Sequence, residues 1–273
     1  MRRSCAIVAV ALVMAGGQAQ AWGAPPAAPF EGLQARVQQA AADAAGSGAE
    51  MSIVVLDRRT GQTVSSGAGR PFPIASVVKL FIADDLLLQE SQGGTELSTA
   101  DRASLDAMLR SSDDGAAQMF WDRNGQNAVI ARITSRYGLT GTTAPANRHW
   151  DVTQSTASDL VRYYDMLLDG TGGLPPEQAD VIIGDLARST PTGADGYPQR
   201  FGIPDGLYAE PVAVKQGWFC CWNGANQLHV STGVIGPDRR YVMAIGSLDP
   251  TGAATARDNV TRAVKTMFPG GKV

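Results

Sequence analysis

Residues 74–82 read Ile74-Ala75-Ser76-Val77-Val78-Lys79-Leu80-Phe81-Ile82. Pro71 and Pro73 break the chain just before them, and the pattern predicts a helix over 75–89. Val77, Val78, Leu80, Phe81, Ile82, Leu86, Leu87 and Leu88 make that helix apolar on most sides, so it belongs inside the protein. Ser76 and Lys79 stand at i and i+3 and share a face. Ser76 falls in the first turn, where free amide N–H groups and the helix dipole favour developing negative charge. Lys79 falls in apolar surroundings, and desolvation lowers an ammonium pKa. A neutral lysine can take the serine proton, which activates a serine without histidine.

Outward from this helix, 30–45 reads as a helix with Phe30, Leu33, Val37 and Ala41 on one face. Residues 51–57 and 62–66 flank Arg58-Arg59-Thr60-Gly61 and read as a hairpin. Helices are expected at 98–109 and 115–123 around a polar break at 111–114, at 127–137 closed by Gly138, at 155–169 and at 175–188. Residues 141–150 and 189–211 read as irregular, and strands follow at 212–218, 227–235 and 240–247 before a last helix at 254–267. Strands lie at both ends of the chain and helices fill its middle. The expected class is α+β, an antiparallel sheet from both chain ends flanked by helices plus an all-helical lobe. We expect one domain over 30–273, with a sheet lobe at 30–75 and 205–273 and a helical lobe at 76–204.

The first 21 residues read as a removable export signal. Arg2 and Arg3 form a positive start, 5–15 are apolar but too short to span a bilayer, and Ala19-Gln20-Ala21 offers a small-x-small cleavage site. Cys5 stands at the start of the apolar run, whereas a lipoprotein cysteine would follow it. Residues 22–29 read as a Pro/Ala-rich flexible leader. The mature protein is therefore expected outside the cytoplasm, in the cell envelope or secreted, and off the membrane once the signal is removed. The 273 residues carry 23 Lys and Arg against 26 Asp and Glu, net −3, which argues against a nucleic-acid partner. Hydrophobic content of 44% and charged content of 18% exclude a disordered chain. Three cysteines are too few for a disulfide scaffold, and His149 and His229 make no recognisable metal pair.

Beyond Ser76-Val77-Val78-Lys79, two more elements carry chemistry. Ser112-Asp113-Asp114 occupies the break between two helices, and Lys215-Gln216-Gly217 lies on the first late strand. In this order they resemble the three motifs of the class A β-lactamase and low-molecular-weight penicillin-binding protein superfamily. The resemblance runs from the 30–45 helix to the last helix. It implies Ser76 as the acylated nucleophile, Lys79 as its base and Ser112 as a proton relay to the leaving nitrogen. It implies Lys215 as the positive charge for substrate and relay, and the backbone N–H groups of Ser76 and Trp218 as the oxyanion hole. Asp114, Gln216 and Gly217 are then candidate substrate-binding positions, and no metal or organic cofactor is implied. The substrate would be a β-lactam or a peptidoglycan-type D-alanyl peptide, and the protein a monomer.

Departures qualify the likeness. Asp114 stands where the family has Asn, and Gln216 where it has Thr or Ser. No Glu-x-x-Leu-Asn segment occurs between Ser112 and Lys215, so the usual deacylating carboxylate is missing, and Asp151 is the substitute candidate. Hydrolysis is therefore expected to be slow, and a non-catalytic binder of cell-wall peptide is the alternative. Cys220 and Cys221 form either a vicinal disulfide or two free thiols. Trp150, Trp218, Phe219 and Trp222 are candidates for cleft walls or for core.

Overall fold

In the computed structural model, which describes Phe30 and residues 32–273, the chain opens with α1 (Leu33–Gly46), β1 (Glu50–Asp57), β2 (Gln62–Ser66) and β3 (Phe72–Pro73). The export signal and leader read at 1–29 lie outside the described residues. A 3-10 turn (Ala75–Val78) then leads into α2 (Lys79–Ser91), followed by α3 (Thr99–Arg110), α4 (Asp114–Arg123) and α5 (Asn127–Tyr137). A second 3-10 turn (Trp150–Val152), β4 (Gln154–Ser155), α6 (Ala157–Asp169), α7 (Pro176–Ala187) and α8 (Ile203–Gly206) precede β5 (Val212–Trp222), β6 (Asn226–Ile235), β7 (Tyr241–Asp249) and α9 (Ala253–Met267).

The five long strands form one antiparallel sheet in the order β2-β1-β7-β6-β5. Both chain ends thus feed one sheet, and β5 is left on its edge. The inner strands are covered on both faces, which is why they read as near-continuous apolar runs. Their side chains alternate between two cores. Val54, Ala213, Val242 and Ala244 pack with the middle helices. Ile53, Val55, Val214, Met243 and Ile245 pack with α1 and α9.

The apolar α2 is the centre of the helical part: Lys79 to Leu88 are all buried. Its two interior acids are paired. Asp85 takes a two-pronged bond from Arg132 at 2.6 and 2.7 Å, and Asp84 is held by Arg136, Tyr137 and Tyr163. Burial pushes the Asp84 carboxyl up, and Arg136 opposes the shift.

Four local features differ from the sequence-based expectation. The helix expected from 75 begins as a tighter 3-10 turn, because Ala75 has a left-handed backbone (φ 46°) that no regular helix accommodates. The 189–211 segment contains the one-turn α8, and β5 continues past 218 through both cysteines. The β3–β4 pair, Phe72 with Ser155 and Pro73 with Gln154, is too short to leave a periodic signal. It ties the chain just before the Ser76 turn to the chain just after the Trp150 turn.

Candidate active site

Ser76 sits in the 3-10 turn, wedged between α2 and the edge strand β5. Gly217 is what allows that approach. A Cβ on Gly217 would stand 2.5 Å from the Ile74 carbonyl oxygen, 3.1 Å from Ala75 Cβ and 3.2 Å from the Ser76 amide nitrogen. The backbone of Ser76 therefore lies directly against β5 beside Trp218, the two positions expected to supply the oxyanion-hole N–H groups. Gly217→Val is expected to destabilise the fold by about 1–3 kcal/mol through overpacking against fixed backbone. It should also cost roughly a hundredfold in reaction at Ser76, because a displacement near 1 Å is enough for that. A melting curve alongside a labelling rate checks both.

The joint between α3 and α4 presents Ser112. Asp113 caps α4 by accepting the Ala116 N–H at 2.7 Å, and Ser112 is held left-handed (φ 58°). Such a conformation typically costs on the order of 1–3 kcal/mol at a non-glycine residue. It turns the Ser112 hydroxyl between two buried lysines. Lys215 Nζ donates to Ser112 Oγ at 2.8 Å, and Lys79 Nζ lies 3.3 Å from the same oxygen. Lys79 also donates to the Ser112 carbonyl at 2.6 Å and to Asp114 Oδ1 at 2.6 Å.

Helical spacing places Lys79 beside the Ser76 hydroxyl. In the structure, among the described residues, its ammonium is bonded to Ser112 and Asp114, and no hydrogen bond joins it to Ser76 Oγ. A charged carboxylate outcompetes a neutral hydroxyl for an ammonium. Burial pulls the Lys79 ammonium below the ordinary lysine value, and Asp114 pulls it back up. Burial and the neighbouring Lys79 charge push Lys215 well down.

A sign follows for Asp114. A general base works only when neutral, so a reaction using Lys79 rises with pH through the Lys79 pKa. Asp114→Asn removes the main influence raising that pKa. The rise should move to lower pH, and below it each tenfold loss of proton affinity at Lys79 should speed the reaction about tenfold. A pH–rate profile of serine labelling in the two proteins reads this directly.

These groups open on a cleft of about 260 Å³ lined by Ala75, Ser76, Asp114, Trp150, Asp151, Asp195, Trp218 and Phe219. Trp150 comes from the second 3-10 turn, with Lys79 Nζ 4.8 Å from its ring centre. Asp151 follows it, on the cleft as a substitute base must be. Trp218 stacks on Tyr197 at 5.0 Å, and its Nε1 donates to Asp195 at 3.0 Å. Tyr197 is anchored in turn by a 2.6 Å bond to His229, whose ring burial pushes down to about 4. Trp222 packs on Phe219 and is absent from the lining.

Gln216 does not reach the cleft. Its side chain is buried on the opposite face of β5 from Lys215, its amide bonded to the Phe201 carbonyl. Neighbours on a strand point to opposite faces, so one of the two had to turn away. Asp195 was not anticipated. It sits in a Gly-rich loop where an aspartate reads as a turn former, and nothing in the sequence marks it as facing Ser76. The Cys220 and Cys221 sulfurs lie against each other on the exposed end of β5, next to Phe219. Among the described residues no three His, Cys, Asp or Glu side chains gather to hold a metal ion, and no helix is long and apolar enough to cross a membrane.

Comparison with known proteins agrees with this fold. The Beta-lactamase enzyme family matches residues 32–102. A β-lactamase from Chitinophaga pinensis superposes with a TM-score of 0.71 over 86% of this chain and 98% of its own, at 15% identity. PBP-A superposes with a TM-score of 0.71 over 89% and 97%, at 19% identity. The fold is that of this β-lactamase and of PBP-A, and the family match covers the segment that carries Ser76 and Lys79. The protein named "Putative lipoprotein LppW" in Mycobacterium tuberculosis and Mycobacterium bovis is 60% identical over 253 residues, 92% of this chain and 80% of the relative. The chain belongs to the LppW family.

Proposed function

We propose that the protein is an extracytoplasmic serine hydrolase that forms an acyl-enzyme on Ser76 with β-lactams or D-alanyl-type peptides and releases it slowly. The observation that carries this reading is the Ser112 hydroxyl suspended between the Lys79 and Lys215 ammonium groups, beside a cleft that contains Ser76. Neutral Lys79, released from Asp114, takes the Ser76 proton as Oγ attacks the carbonyl carbon. The backbone N–H groups of Ser76 and Trp218 receive the oxyanion. Ser112 gives its proton to the leaving nitrogen and is resupplied from the lysines on either side. Water then breaks the ester, with Asp151 as the candidate base for that step. The chemistry uses these side chains alone, with no metal or cofactor.

A PBP-A variant bears the description of an acyl-enzyme complex with penicillin G, and it shares this fold at 19% identity over 90% of the chain. The name of the LppW relatives supports work in the cell envelope. The experiment is intact-mass measurement after incubation with a panel of penicillins and cephalosporins. A covalent increment equal to the intact β-lactam is expected. An unchanged mass across the panel would reject acylation and leave a peptide-binding protein.

A further inference from the structure

We propose that the cleft selects acyl donors bearing a protonated amine beside an aromatic or apolar group. This rests on Ser76 being the acylated residue and names the substrate class for that same site. Ser76 is 7% exposed, and its hydroxyl has no partner among the described residues, so the cleft is built to present it to a ligand. The charge around it is one-sided. Asp114, Asp151 and Asp195 line the cleft, and among the described residues no cationic side chain does. Lys79 and Lys215 lie beneath the floor, 0% and 1% exposed. The Lys79 charge is matched by Asp114.

Asp151 and Asp195 enter no ion pair among the described residues. Asp195 is fixed by two neutral donors, Trp218 Nε1 at 3.0 Å and the Tyr197 backbone N–H at 2.9 Å, which orient the carboxylate without cancelling its charge. Arg148 and His149 precede the Trp150 turn, and neither lines the cleft. The rest of the wall is aromatic, and two of its rings are held in place. Trp150 Nε1 donates to Gln118 at 3.2 Å, and Trp218 is clamped between Asp195 and Tyr197. A carboxylate-rimmed cleft attracts a cation and repels an anion. Ring faces reinforce that preference and accept an apolar group beside the charge.

Three penicillins with the same phenyl side group test this. Ampicillin carries an amine on the carbon next to the ring, benzylpenicillin a hydrogen and carbenicillin a carboxylate. Their second-order acylation rates are measured by competition with a fluorescent penicillin, at a pH where the amine is protonated. Ampicillin is expected to be fastest and carbenicillin slowest, about tenfold or more apart at low salt. The gap should narrow in high salt. It should also narrow in Asp195→Asn and, independently, in Asp151→Asn, so that one unstable variant does not end the test.

Equal rates, or carbenicillin fastest, would overturn the proposal and leave Ser76 acylation standing. Should none of the three form an adduct, the acylation reading fails. Calorimetric binding of the same three compounds to the unmodified protein then decides the preference. Tighter ampicillin supports it; equal binding, tighter carbenicillin or no binding overturns it.

Discussion

Lys79→Ala is expected to slow acylation by about a hundredfold to ten-thousandfold, the usual contribution of a positioned base. Lys79 directly follows the Ser76 turn in the chain, and its Nζ lies 3.3 Å from the Ser112 hydroxyl. Lys215 is the nearest substitute, but its Nζ is committed to Ser112 Oγ and the Gln216 carbonyl. Loss of the base must be separated from loss of the fold. Lys79 is fully buried, whereas the Asp114 side chain is 66% exposed, so water can solvate the carboxylate that the substitution frees. The Ser112 carbonyl has no such relief, and some stability is lost there. Lys79→Met fills the same apolar space and serves as the control. Stopped-flow or timed gel labelling with a fluorescent penicillin, paired with a melting curve for each variant, reads rate and fold separately. A Lys79→Met protein that melts normally and labels at the parent rate would exclude Lys79 as the base.

The second large effect is the lifetime of the acyl-enzyme. On the proposed reading Ser76 is the nucleophile, Ser112 the relay, and the Ser76 and Trp218 N–H groups the oxyanion donors. The Glu-x-x-Leu-Asn segment that positions a deacylating carboxylate in class A enzymes is absent from the sequence. A positioned base is worth about a hundredfold to ten-thousandfold. The adduct should therefore outlast its formation by a wide margin, and β-lactam turnover should be slow. Asp151 faces the cleft without a hydrogen-bond partner among the described residues, which leaves it free to meet a water. Asp151→Asn should lengthen the adduct lifetime, followed by mass spectrometry after excess β-lactam is removed, and leave the labelling rate of benzylpenicillin nearly unchanged. Rapid multiple-turnover hydrolysis that survives Asp151→Asn would place the deacylating group elsewhere.

Much of the architecture is legible in the sequence because it rests on local pattern. The apolar run around Ser76 announces a buried helix, Gly138 marks the end of α5, and the position of strands at both chain ends foretells a shared sheet. The three motif segments converge because the 3-10 turn, the α3–α4 joint and β5 all border one cleft. What fails to show is set by partners distant in the chain. The bond from Lys79 to Asp114 spans 35 residues, a partnership that helical spacing alone cannot foresee. Asp195 reaches the cleft through a loop with no periodicity to read. Gln216 is different: strand alternation beside Lys215 already requires it to face away, and the motif likeness obscures that rule.

The central claim is that Ser76 becomes acylated. Peptide mapping by tandem mass spectrometry after reaction with benzylpenicillin tests it most directly, run in parallel on the unmodified protein and on Ser76→Ala. The predicted result is a benzylpenicilloyl increment on Ser76 of the unmodified protein and none anywhere on Ser76→Ala. An adduct on another residue, or labelling that persists in Ser76→Ala, would contradict it.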